Sequence, residues 1–182
     1  MLLERARRGD RPSLEALFHQ HFSTAYRVAY RLLGHDQDAQ DAVQDAFLKA
    51  VVHLAEFDGR SGFRTWLLRI VTNAALDLGR RRRRRTTVPL LEATGAQADL
   101  VVDDPARGLH SQDLRRQIDT ALDQLSPPIR ASFVLFAEAE LSYKQIAEIQ
   151  QVPVGTIMSR LHFARRKLQA SLDGVLQEDQ ED

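Results

Sequence analysis

Leu141-Ser-Tyr-Lys-Gln-Ile-Ala-Glu-Ile-Gln-Gln-Val-Pro-Val-Gly-Thr-Ile-Met-Ser-Arg-Leu161 has the spacing of two short helices joined by a tight turn, the outline of a helix-turn-helix. Ser142 is placed to cap the first helix, and Ile146, Ala147 and Ile149 give it one apolar face. Val154, Ile157 and Leu161 recur at helical spacing on the second, with Pro153 suited to its first turn. If the partner is a duplex, the second helix enters the major groove and offers Thr156, Ser159 and Arg160 to base edges or phosphates. The same pattern also describes a helical hairpin packed for stability alone.

Working outward, the 182 residues suffice for one domain or two small ones. No cysteine is present, which excludes disulfides and thiolate metal sites and fits a reducing compartment. The first ten residues lack the apolar run of a signal peptide, and no later stretch approaches membrane-spanning length. A cytoplasmic protein without membrane insertion of its own is expected.

The formal net charge of zero conceals segregation along the chain. Residues 1–85 carry 16 basic and 10 acidic side chains, net +6, whereas residues 86–110 come to −3. Residues 111–170 return to +2, and the tail from Ser171 has five acids and no Lys or Arg, net −5. Two basic bodies, an acidic connector and an acidic tail fit a polyanion binder.

Strand signals are nearly absent and helical periodicity is strong, so the expected fold is all-α with two small helical domains joined by a flexible linker. The first, residues 10–85, begins near Asp10. Leu14, Leu17, Phe18, Phe22, Ala25, Tyr26, Ala29 and Leu33 share a face, and Gly34 supplies the stop. Asp36 is placed to cap a second helix whose buried side is Ala39, Val43, Ala46, Phe47, Val51 and Leu54. After the loop Glu56-Phe-Asp-Gly-Arg-Ser-Gly62, a third helix runs from about Phe63 into the arginine run, with Trp66, Leu67, Ile70, Ala74 and Leu78 as its apolar stripe. Periodicity dissolves over 86–110, a linker, and resumes over 111–171 through Ile118, Leu122 and Leu125, with a break at Ser126-Pro-Pro128. Residues 172–182 form the acidic tail.

Six consecutive arginines, Arg80 to Arg85, can make several phosphate contacts and give salt-dependent nucleic-acid affinity. Just before them stand Phe57, Ser61, Trp66, Thr72 and Asn73, a mixture suited to stacking an unpaired base and reading its edge. Trp66 reads better as core from its spacing with Ile70, whereas Phe57 on a Gly-containing loop fits either role. The polar face Asp38, Asp41, Gln44, Asp45 and Lys49 is a solvated helix surface or a protein dock. No metal-ligand spacing, P-loop, dinucleotide fingerprint or nucleophile elbow is present. An enzyme, a bound cofactor and catalytic residues are therefore not expected.

Taken together, the two halves resemble the extracytoplasmic-function (ECF) sigma factors of bacterial RNA polymerase, over nearly the whole chain. Asp41-Ala-Val-Gln-Asp-Ala-Phe-Leu-Lys-Ala50 resembles the region 2 helix that binds the polymerase β′ clamp, Phe63 to Ala74 the helix after the specificity loop, and Leu125 to Leu168 region 4. The resemblance implies that Asp38, Asp41, Gln44, Asp45 and Lys49 hold core polymerase. It assigns Phe57, Asp58, Gly59, Ser61, Asn73 and Arg80 to the minus-10 element, where a flipped base of the single strand is captured. It assigns Thr156, Ser159, Arg160, His162 and Arg165 to the minus-35 duplex. Core polymerase, through its β′ clamp and β flap, promoter DNA and an anti-sigma factor are the implied partners. The chain departs from the family pattern at Met158 and Phe163, where a basic residue is common; a bidentate Arg on guanine contributes about 1–3 kcal/mol of discrimination. The other readings are a helix-turn-helix regulator that binds DNA without acting as a sigma subunit, and an anti-sigma or adaptor protein that imitates region 2.

Overall fold

A computed structural model describes residues 2–86 and 117–178, and every regular element among them is helical. The order is α1 (Leu2–Arg7), α2 (Arg11–Leu33), α3 (Asp36–His53), a 3-10 turn at Leu54–Glu56, α4 (Phe63–Thr86), α5 (117–123), α6 (Pro127–Ala137), α7 (Tyr143–Gln150) and α8 (Val154–Glu178). The expected linker, but for its first residue, and the last residues of the acidic tail lie outside the described residues.

Local chemistry sets the helix ends. Asp10 Oδ2 accepts from the Ser13 amide at 3.1 Å to start α2, with Pro12 in the first turn. Gly34 ends it in the left-handed region at φ 69°, its N–H donating to Tyr30 O at 2.7 Å. Ser142 and Gln145 form a reciprocal capping box: Ser142 Oγ accepts from the Gln145 amide, and Gln145 Oε1 accepts from the Ser142 amide at 2.9 Å. Gln151, at φ 54°, closes α7, and Pro153 precedes α8, its carbonyl accepting from the Thr156 amide at 2.9 Å. Thus Pro153 caps α8 from outside rather than standing in its first turn. Similarly, His35 occupies the N-cap of α3 and Asp36 is its first residue. The Asp36 carboxylate accepts from the Tyr26 hydroxyl and from Gln40 Nε2, so it ties α3 to α2 instead of capping it. Pro127 and Pro128 open α6, where a missing amide costs nothing.

The helices of the first half pack around Leu68 and Val71 of α4, Val28 and Ala29 of α2, and Val43 and Ala46 of α3. Each large aliphatic side chain so buried contributes roughly 1.5–3 kcal/mol. The first helical unit begins before Asp10: Ala6 of α1 is buried with Leu17, Ala50, Leu54 and Leu67. Spacing places Phe22 and Val51 on buried faces, but both are about half exposed, Phe22 resting against the rings of Tyr26 and Phe47 at the margin of the core. In the second half, α8 carries Ile157 and Leu161 into the core shared with α6 and α7, and Ala164 and Leu168 onto Leu122 and Leu125.

The two halves pack against each other, α6 on α2 and α7 on α4, and their cores join. Polar groups trim this contact. Glu138 receives Arg27 Nε at 3.3 Å and Arg31 Nε at 3.1 Å, and Arg31 also reaches Asp119. Arg64 donates to Ala139 O at 2.6 Å, and Gln145 Nε2 donates to Thr65 Oγ1 at 3.3 Å.

Candidate nucleic-acid and protein interfaces

Three surfaces carry the candidate residues. On α3, Asp41, Gln44, Asp45 and Lys49 are exposed. Asp41 accepts from Gln37 Nε2 at 3.1 Å, and Lys49 pairs with Asp45 at 2.6 Å. Asp38 is less open, because Arg82 of the arginine run reaches across to it. On the same face stand Leu48, 61% exposed, and Val52, 71% exposed. Residues 38, 41, 45, 48 and 52 follow steps of three and four, so these carboxylates and aliphatics form one stripe. Leu48 and Val52 escape a reading that looks only for polar candidates, yet that spacing was the signal. An apolar strip flanked by charge and left open to solvent is the pattern of a protein contact.

The second surface is the loop before α4. Phe57 is only 5% exposed, held edge-on to Phe63 at 6.0 Å and against Trp66 at 5.2 Å between ring centroids. Of the two roles its loop position allows, Phe57 takes the core one: a ring closed in by two others has no free face on which to stack a base. Trp66 is half-buried in the same cluster, in keeping with its spacing. Asp58 and Gly59 are exposed, and Ser61 is half-buried. Asp58 Oδ1 accepts from the Arg60 amide at 3.0 Å, and its other oxygen meets Arg60 Nε at 2.6 Å. The backbone bond from Arg60, helped by the nearby guanidinium, holds this carboxyl below its usual pKa. Gly59, at φ 73°, supplies the left-handed residue that the turn requires. Asn73 and Arg80 are exposed further along α4, with Arg80 paired to Asp77.

The third surface is α8, and here the structure divides the candidates. Ser159 and His162 lie on an open face beside Met158, Phe163, Arg166 and Lys167. Arg166 was missed, although it stands four residues beyond His162 and on the same side. Thr156 is half-buried at the start of the helix. Arg160 turns the other way, onto Gln150 Oε1, and lines a cavity between the halves. Arg165 stacks over the Phe136 ring, 5.0 Å from its centroid, beside the Tyr143 hydroxyl. Met158 and Phe163 are about half exposed, so they shape the open face rather than fill the core.

The inter-half cavity brings together residues that the sequence separates: Asn73 and Arg80 of the minus-10 set and Arg160 of the minus-35 set line one space of about 450 Å³. No described helix is long and apolar enough to cross a membrane.

Comparison with known proteins follows this division of the chain. Residues 17–85 match the family model for sigma-70 region 2, and residues 115–168 match that for sigma-70, region 4. The chain is 36% identical over 160 residues to the ECF RNA polymerase sigma factor SigE of Mycolicibacterium smegmatis, a match that takes in 86% of this chain and 60% of that relative. It therefore spans less than two thirds of that protein's length. It is 32% identical over 176 residues to the ECF RNA polymerase sigma-E factor of Escherichia coli, covering 92% of this chain and 91% of the relative. Among solved structures, CnrH in complex with the cytosolic domain of CnrY superimposes with a TM-score of 0.72 at 27% identity, over 95% of this chain and 96% of the other.

Proposed function

The chain belongs to the ECF RNA polymerase sigma factors, and from that membership we propose that it joins core RNA polymerase and directs promoter-specific initiation. It performs no covalent chemistry itself and works in the cytoplasm, where core polymerase is. The α3 stripe of Asp41, Gln44, Asp45, Leu48 and Val52 docks on the β′ clamp: the aliphatics supply buried area, and the carboxylates select a basic counterpart. Residues 10–85, preceded by α1, read the minus-10 element. Asp58, Gly59 and Ser61 receive an extruded base and Asn73 reads its edge, so capture offsets part of the few kcal/mol that unstacking costs and drives strand opening. Arg80 and the arginines after it hold the backbone. Residues 111–171 read the minus-35 duplex and contact the β flap. Ser159, His162 and Arg166 present a face that Met158 and Phe163 make partly apolar, which suits thymine methyl groups. An anti-sigma factor is a further proposed partner, one that covers these same surfaces.

The observation that carries this reading is the pairing of an open, charged and apolar stripe on α3 with an open recognition face on α8, in the order of regions 2 and 4. It also requires the halves to part. The two promoter elements lie about 25 base pairs apart, roughly 85 Å of duplex, whereas Asn73 and Arg160 line a single cavity. In vitro transcription with purified core enzyme tests the proposal. The expected result is initiation at a defined set of start sites that is absent without the chain.

A further inference from the structure

Base capture leaves one group of the loop before α4 without a task. Arg60 stands between Gly59 and Ser61, and its side chain is 89% exposed. The turn that carries it is anchored at both ends, because Phe57 and Phe63 are buried in one cluster, with Trp66 packed against them. Within the turn, Asp58 commits both carboxylate oxygens to Arg60. Oδ1 accepts from the Arg60 amide, closing an Asx turn, and Oδ2 holds Nε at 2.6 Å. Arg60 pairs with no other described residue, so Nη1 and Nη2 remain as a fork of donors turned to solvent. The carboxylate beside it offsets much of the guanidinium charge, which weakens its pull on phosphate relative to a guanidinium with no such neighbour. What remains is geometry: two parallel N–H groups match two adjacent acceptors on one base edge. An unpaired guanine offers O6 with N7 and an unpaired cytosine O2 with N3, whereas adenine and thymine have no two adjacent acceptors.

We infer that Arg60 is the residue of this loop that selects the captured base, taking one with two adjacent acceptors, guanine or cytosine, over adenine and thymine. Asp58 is its positioning residue. It fixes the fork before the base arrives, so less ordering is left for the moment of capture. This specificity deepens the minus-10 reading and rests on the function proposed above.

The test is transcription by core polymerase carrying the full chain, from a template with a mapped start site whose minus-10 block is changed one position at a time to each of the four bases. At one position guanine or cytosine should exceed adenine and thymine by about tenfold, within the range of a bidentate pair. The four templates at that position tell guanine from cytosine. Arg60→Gln should abolish this preference and leave the ranking at every other position unchanged. Arg60→Lys keeps the charge without the fork and should fail to restore it. Asp58→Asn keeps an acceptor for the Arg60 amide but takes the carboxylate from Nε, and should narrow the preference about threefold. Both side chains are exposed, so none of these variants removes a core contact. A loss spread evenly over all four bases in Arg60→Gln and restored by Arg60→Lys would make Arg60 a phosphate contact and overturn the inference. So would a base preference that Arg60→Gln leaves intact, or an Arg60-dependent preference for adenine or thymine. An unchanged preference in Asp58→Asn removes the positioning role. A chain that gives no start site with core enzyme overturns the promoter reading and this inference with it, whereas start sites indifferent to Arg60 overturn this inference alone.

Discussion

His21 lies 5.5 Å from Phe63 between ring centroids, and burial, with the Arg64 charge second, holds its pKa below the ordinary imidazole value. A histidine depressed in the folded state binds its proton more readily when unfolded, so stability rises with pH through this window. The contribution is complete above the unfolded value near 6.5 and is lost as pH falls towards the folded one. Urea midpoints should therefore drop between pH 7 and pH 5, and His21→Gln should flatten that slope. A slope unchanged by the variant would place the acid sensitivity elsewhere. At the recognition face, Arg166→Ala should reduce duplex affinity at all sequences and lower the salt slope by about one unit, whereas Met158→Arg should shift base preference by about 1–3 kcal/mol at a single position. Titrations of labelled duplex at several salt concentrations distinguish these outcomes. Phe57 shows where residue-level reading stops: a Gly-containing loop says that an aromatic is near the surface, but only the approach of Phe63 and Trp66 decides that its faces are covered.

At the scale of elements, α3 is the clearest test. Asp41→Ala with Gln44→Ala should weaken binding to core polymerase while leaving helical content intact, since both side chains are exposed. Leu48→Ala with Val52→Ala should weaken it further, by about 1–3 kcal/mol if both side chains are buried at the contact. Binding measured by native electrophoresis, with circular dichroism as the control, separates docking from folding; a loss of helix in either variant would return this face to a structural role. The elements themselves were largely legible. Gly34 and the Ser142 to Gln145 box end and begin helices through local bonds that their residue types announce, and the stripe Leu67, Ile70, Ala74 reads directly as a buried face. Caps at α3 and α8 fell one residue away because His35 and Pro153 do the work through backbone alone, which side-chain chemistry does not signal. Phe22 and Val51 misled because periodicity gives a direction and not the neighbour that fills it.

At the scale of the molecule, the order of two helical units was legible from charge blocks and the lost periodicity between them, but their mutual packing was not. Contacts between α2 and α6 pair residues roughly a hundred positions apart, beyond any local signal. Glu138 is the hinge of that contact, since one carboxylate answers both Arg27 and Arg31. Glu138→Ala should shift the balance towards the parted state by about 1 kcal/mol, roughly fivefold. Small-angle scattering should then record a larger radius of gyration, and added salt should enlarge the unsubstituted chain in the same direction. An unchanged radius would mean that the apolar contact alone holds the halves. The most direct test of the central claim is transcription from genomic DNA by purified core RNA polymerase, with start sites mapped with and without the chain. A discrete set of new start sites, each with common sequence blocks near minus-10 and minus-35 and lost with the α3 variants, is the expected result. Initiation that remains dependent on a different sigma subunit, with this chain only altering its level, would contradict it.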